Sequence, residues 1–244
     1  MRSAGRVDFT AYLKAIALLV RNPGLTLAPL LMAVAQILLF MVMPMDSGGG
    51  GILSMANSSI TSLLAQLLNS FGLAVSLIMA ENVWRHGGAR FDDAWETAKR
   101  NAGGILLAAI GFNFVTWIAA YLGSAIPLGS VVLGIVACFF FIYTLPAAAI
   151  GGVPGGAALQ VALERARGAV LPTVIVTAVY LFVYYVLTSL VAEAIVPLVP
   201  DYDPYAPFVV GRLLVAVIQA IAAGYVALVL AKAYDDASYG RYYR

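Results

Sequence analysis

Six apolar stretches of about twenty residues, each closed by a short polar or glycine-rich break, leave this chain one kind of solvent. They run over about residues 25–43, 60–80, 103–122, 131–149, 170–191 and 208–231. At 1.5 Å per residue, about twenty residues cross a hydrocarbon core of about 30 Å. Backbone polar groups have no water to bond in hydrocarbon, so each stretch reads as a transmembrane helix and the fold class is all-α, one domain over residues 1–244. Composition agrees: 62% of the 244 residues are hydrophobic and 11% charged, whereas a soluble domain carries about 25% charged residues. Ala33-Val34-Ala35 has the form of a leader-peptide cleavage site. It lies inside an apolar run that continues to Met43, so the reading is an uncleaved first span.

Between the spans lie amphipathic segments, at about residues 8–20, 90–101 and 157–167. The longest polar interruption is Arg90 to Arg100. Its Phe91, Ala94, Trp95 and Ala98 recur at i, i+3, i+4 and i+7, while Asp92, Asp93, Glu96, Lys99 and Arg100 take the opposite face. The acids fall in the first turn and the bases in the last, as the helix dipole favours, and Glu96 stands one turn before Arg100. Leu159, Ala162, Leu163 and Ala166 occupy one face in the same way, beside Glu164, Arg165 and Arg167. Laid over each other, Ala94–Lys99 and Ala162–Arg167 share Ala, a large apolar residue, Glu, any residue, Ala and a base. A first copy follows Asp8, a capping residue, with Phe9, Tyr12, Leu13 and Ile16 at helical spacing before Arg21-Asn22-Pro23-Gly24 ends it. The expected plan is three repeats of an amphipathic surface helix plus two spans. Apolar period alone is common to interfacial helices, so the repeat rests on the shared identities of the later copies.

Charge supplies the orientation. Arg2, Arg6, Lys14, Arg21, Arg85, Arg90, Lys99, Arg100, Arg165, Arg167, Lys232, Arg241 and Arg244 all fall on one side of six spans, and Arg212 falls towards the other. The positive-inside rule then puts both termini in the cytoplasm, with Asp46, Asp201 and Asp203 in outer loops. A formal net charge of +2 offers nothing to nucleic acid.

Sites are sparse. Arg212 lies about 7–8 Å into the last span, counted from Pro207, and Glu193 lies near the outer end of the fifth; they form either an ion pair or, with Asn113, a solute site. Gln36, Gln66, Asn69, Asn113, Thr116, Thr177 and Gln219 are polar insertions within spans, read as glue between helices or as the lining of a pathway. None ionises, which argues against a proton-driven pump. Small residues at Ala216, Ala220 and Gly224 mark a helix-packing face, Trp84 suits the lipid interface, and Tyr180, Tyr184 and Tyr185 read as packing or lipid contacts. Asp92, Asp93 and Glu96 near His86 read as solvated charge rather than a metal or hydrolase site. Cys138 is the lone cysteine, which excludes an intrachain disulfide. No nucleophile motif, zinc motif or phosphate loop occurs, and the glycine-rich Ser47–Gly51 and Gly151–Gly156 lack the Lys-Ser/Thr a phosphate loop needs. The expectation is no enzyme, no metal and no cofactor.

Three segments carry a family resemblance: Phe9–Leu31 with its Arg21-Asn22-Pro23, Gly88–Leu106, and Leu145–Val170. In these the chain resembles the YciC-type six-span bacterial inner-membrane proteins and the membrane domain found in some glycerophosphodiester phosphodiesterases, whose catalytic domain is absent here. Over Phe9–Phe40 it is also similar to CysZ-type sulfate transporters. The first resemblance implies a location and a fold more than an activity. The expected protein is a non-enzymatic scaffold of the bacterial inner membrane, solvated by the lipid bilayer. The faces around Phe91, Trp95, Leu159 and Leu163 would brace it, dock a protein partner on the cytoplasmic side or sense lipid. The alternative is a small-solute or anion transporter or channel using Arg212, Asn113 and the mid-span amides.

Overall fold

The computed structural model describes residues 9–43, 52–195 and 206–239. Arg2, Arg6, the Asp8 cap, Asp46 with most of its glycine-rich loop, Asp201, Asp203, Arg241 and Arg244 lie outside them. Among the described residues the chain is helical throughout, with no strand. The helices are α1 (Phe9–Arg21), α2 (Leu27–Val42), α3 (Ile52–His86), α4 (Phe91–Arg100), α5 (Ala102–Gly123), α6 (Gly129–Phe141), α7 (Thr144–Ala149), α8 (Gly155–Gly168), α9 (Val170–Leu181), α10 (Thr188–Ile195) and α11 (Ala206–Tyr239). Six segments are long and apolar enough to cross a membrane: Pro23–Val42, Ser59–His86, Ala102–Gly123, Gly129–Ala149, Val170–Val191 and Val210–Ala237.

Burial divides these spans. Half of the α3 window and 56% of the α11 window are buried, against 17% for α5 and for the α9 segment, so α3 and α11 form the centre. Ala74 to Ala80 of α3 and Val226 to Ala231 of α11 are buried without interruption. A helix buried on every side needs neighbours on every side. The neighbours are α2, α7, whose Ala147, Ala148 and Ala149 are buried, and the helices α1, α4 and α8. Towards the other end the surface is large and apolar, with Leu38, Met41, Val42, Ile60, Trp117, Leu122 and Leu190 exposed. Water does not tolerate so wide an apolar surface, and acyl chains do.

Close packing in lipid depends on small residues, because burial of apolar area drives little there. Helices α2 and α3 run antiparallel, and a Cβ on Gly72 of α3 would lie 3.0 Å from Met32 Cγ and 3.1 Å from Pro29 Cα. Beside that contact Ser76 Oγ donates to the Leu25 carbonyl at 2.7 Å. Between α5 and α6 the turn is so tight that a Cβ on Gly123 would lie 2.4 Å from the Gly129 backbone. There Ser130 Oγ donates to the Ala120 carbonyl at 2.9 Å.

Two spans are broken in ways the apolar runs do not reveal. The fourth stops at Phe141 and resumes at Thr144, because Pro146 has no N–H to offer one turn back and its ring crowds the carbonyl there. The fifth passes through a π-helical turn, Phe182–Leu187, where the one-residue change of register re-aims the side chains that follow.

On α1 the large apolar residues and the small ones take different sides. Phe9, Leu13 and Ile16 are 65%, 71% and 51% exposed, while Ala15 and Leu18 are buried. The small side turns inwards because Ala15 lets α1 approach α11, where a Cβ on Gly224 would lie 3.0 Å from Leu19 Cδ1. The part-buried Trp84 ties α3 to α11: its indole N–H donates to the Leu228 carbonyl at 2.9 Å, and the Lys14 ammonium sits 5.5 Å from the ring centroid.

Candidate functional site

Two regions gather the polar chemistry. One is the end of the bundle ringed by α1, α4 and α8. In α4 the alanines sit deepest: Ala94 and Ala98 are fully buried, and the Trp95 ring packs edge-on to Phe71 of α3 and stacked on Phe91, both with centroids 5.6 Å apart. In α8 Ala162 and Ala166 are fully buried too. Leu163 is half-buried, and Leu159 presses on α5, where a Cβ on Gly111 would lie 2.9 Å from its Cδ1. Arg165 ties α8 to α11: its guanidinium stacks 3.4 Å from the Tyr234 ring centroid and Nη1 donates to the Tyr234 carbonyl at 2.7 Å. Asn101 donates to the Ala148 carbonyl at 2.9 Å, joining the start of α5 to α7.

Charges on the outside of this ring pair locally. Glu81 and Arg85 lie 2.6 Å apart one turn along α3. Glu96 bonds Lys99 at 2.9 Å, rather than Arg100, because three residues on is as near as four on a helix surface. That hydrogen bond holds the Glu96 carboxyl below its ordinary range. Lys232 bonds Asp236 on α11. Tyr12 of α1 faces α11, where the Tyr225 hydroxyl donates to its carbonyl at 3.4 Å, and burial pushes the Tyr12 phenol up to about 12.

The second region is a cleft of about 220 Å³ among α3, α5, α7, α11 and the π-helical turn. Gln66 and Asn69 enter it from α3, Asn113 from α5, and Tyr180, Tyr184 and Tyr185 from the α9 segment. Leu73, Ile142, Leu145 and Leu230 make an apolar floor. The tyrosines form one cluster: Tyr180 stacks on Tyr184 with centroids 5.6 Å apart, and Tyr185 stands edge-on to Tyr184 at 5.7 Å. The π-helical turn lets residues adjacent in sequence, Tyr184 and Tyr185, both reach the cleft. Thr188 follows, its hydroxyl bonded to the Tyr184 carbonyl. Asn113 Nδ2 is buried and has no hydrogen-bond partner among the described residues.

The structure thus brings together the mid-span amides Gln66, Asn69 and Asn113 and leaves Arg212 out of the cleft lining. The Arg212 guanidinium lies 5.3 Å from the Phe40 ring centroid, Glu193 is exposed, and the ion pairs found among the described residues do not join the two. Each polar insertion is visible in the sequence. The tyrosines' part in the lining is not, because a π-helical turn has no residue signature. Among the described residues no three metal-ligating side chains of His, Cys, Asp or Glu come together, and Cys138 is buried. No protein-family model, curated protein or solved structure matches the chain. Fold and surface together define a multi-pass membrane protein with six candidate spanning helices.

Proposed function

We propose that this chain is a non-enzymatic scaffold of the bacterial inner membrane, with both termini cytoplasmic, in which three repeated surface helices clamp the cytosolic ends of the spans. The observation that carries the reading is the full burial of Ala94 and Ala98 in α4 and of Ala162 and Ala166 in α8. A helix that merely floated on headgroups would bury its largest apolar residues in lipid and have no use for buried small ones. Buried alanines at matching sequence positions also support descent of the two segments from one repeated unit. The outer faces of α4 and α8, with Glu96, Lys99, Arg100, Gln160 and Arg167, remain available to a cytoplasmic protein partner or to lipid headgroups. The resemblance to YciC-type proteins supports the location. The test is a Trp95→Asp, Leu163→Asp double variant in membranes under limited proteolysis. The expected result is cleavage around residues 87–102 and 151–169; unchanged resistance and an unchanged melting temperature would overturn the bracing.

The cleft favours a second reading, transport of a small solute between α3 and α5. Among the described residues its lining offers amides and phenols but no cation, so this reading points to uncharged solutes rather than anions. Proteoliposomes examined by light scattering for glycerol, erythritol and sulfate uptake separate the readings. Protein-dependent polyol flux supports transport, and silence for all three supports the scaffold.

A further inference from the structure

We propose that the cleft between α3, α5 and the π-helical turn is a binding site for an uncharged, hydroxyl-rich group of about one sugar ring. This goes beyond the scaffold reading and does not depend on it. Size comes first. A volume of about 220 Å³ matches roughly seven waters at about 30 Å³ each, which suits a sugar ring or small polyol.

Chemistry comes second. Gln66, Asn69 and Asn113 each present a carbonyl acceptor and two amide donors, and Tyr180, Tyr184 and Tyr185 add hydroxyls on flat aromatic bodies. Hydroxyl groups both give and accept hydrogen bonds, so they match amides in either orientation, while the C–H faces of a ring pack on tyrosine. Among the described residues no cation or carboxylate lines the cleft, and an ion brought to this depth would stay uncompensated. The ligand is therefore neutral.

Depth and access come third. Gln66 lies about 9 Å along α3 from Ile60, where the second apolar run begins, counted at 1.5 Å per residue, yet its side chain is exposed, and Tyr185 is 57% exposed. An exposed amide so far inside a span belongs to a mouth that admits polar groups from the side of the bundle, because hydrocarbon alone would leave it unpaired. Deeper in, the buried Asn113 Nδ2 has no partner among the described residues, in a class of group that is almost always paired. A ligand hydroxyl completes it. The same chemistry is carried by the headgroup of a neutral glycolipid and by a free sugar.

The experiment uses the full chain in phosphatidylcholine nanodiscs, with octyl glucoside held below micelle formation, methyl glucoside, and phosphatidylglycerol as probes. Binding is read by equilibrium dialysis or lipid competition, and folding by apparent melting temperature. Saturable octyl glucoside binding, weakened at least tenfold in Asn113→Leu and in Asn69→Leu, is the expected result. Asn113→Leu also melts no lower than the parent, because it replaces an unpaired amide with an apolar group of similar size. Binding of octyl glucoside alone identifies a lipid headgroup as the source; equal binding of methyl glucoside identifies a free sugar. The proposal is overturned if neither glucoside binds, if phosphatidylglycerol competes as well as octyl glucoside, or if Asn113→Leu lowers melting without changing binding, as glue between helices would.

Discussion

Replacing Ala162 by leucine tests how α8 is held. Ala162 has no exposed surface, and Ala158 and Ala166, one turn to either side, have none either. Leucine adds three carbons to a contact already closed, and overpacking of this kind costs about 1–3 kcal/mol. For a chain of this length each kcal/mol moves melting by about 2–4 °C, so Ala162→Leu is expected to melt about 2–12 °C lower. Ala157→Leu is the control, since Ala157 faces outward on the same helix and surface changes stay within about 0.5 kcal/mol. The assay is tryptophan fluorescence of purified protein at one fixed scan rate, because unfolding of such proteins is a rate as much as an equilibrium. Ala98→Leu in α4 should behave as Ala162→Leu does. If Ala162→Leu and Ala157→Leu melted together, α8 would be a loosely attached surface helix and the clamp would be wrong.

Other outcomes follow from single contacts. Trp84→Phe removes the donor to the Leu228 carbonyl and is expected to cost about 1 kcal/mol, whereas Trp117→Phe, at an exposed ring stacked on Tyr121, should leave melting unchanged. In bilayers containing lipids brominated along their chains, a protein keeping only Trp117 should be quenched more strongly than one keeping only Trp95, because Trp117 is 64% exposed within a span. The Glu96 carboxyl is held low by Lys99, so whatever the pair adds to α4 is present above the ordinary carboxylate range and lost as pH falls through the lowered value. Carbon NMR of labelled Glu96 should show its titration move up in Lys99→Met; no movement would remove the bond's role.

Much of this architecture can be read from residue order alone, for a physical reason: twenty apolar residues in a row have few fates. The polar faces of α4 and α8 are equally plain, because Asp92, Asp93, Glu96, Lys99 and Arg100 cannot turn inwards. The side of α1 that packs on the bundle is hard to read because Phe9, Leu13 and Ile16 are larger than Ala15. In water the largest apolar residues mark the core, while against lipid the small ones do. The partner of Trp84 is equally hard to read, since an indole N–H is satisfied as well by the Leu228 carbonyl as by a headgroup. Gln66, Asn69 and Asn113 stand out singly as polar insertions, but their convergence depends on helix rotation, and that of Tyr184 and Tyr185 on a π-helical turn with no sequence signal.

The proposed topology puts α4 and α8 on the cytoplasmic side of six lipid-solvated helices. In a Cys138→Ala background, single cysteines at Glu96, Gln160 and Ser124 can be challenged in intact cells with a membrane-impermeant maleimide. Ser124, exposed in the turn between α5 and α6, should label at once, while Glu96→Cys and Gln160→Cys should label only after the inner membrane is opened. Rapid labelling at position 96 or 160 in sealed cells, with position 124 silent, would contradict it.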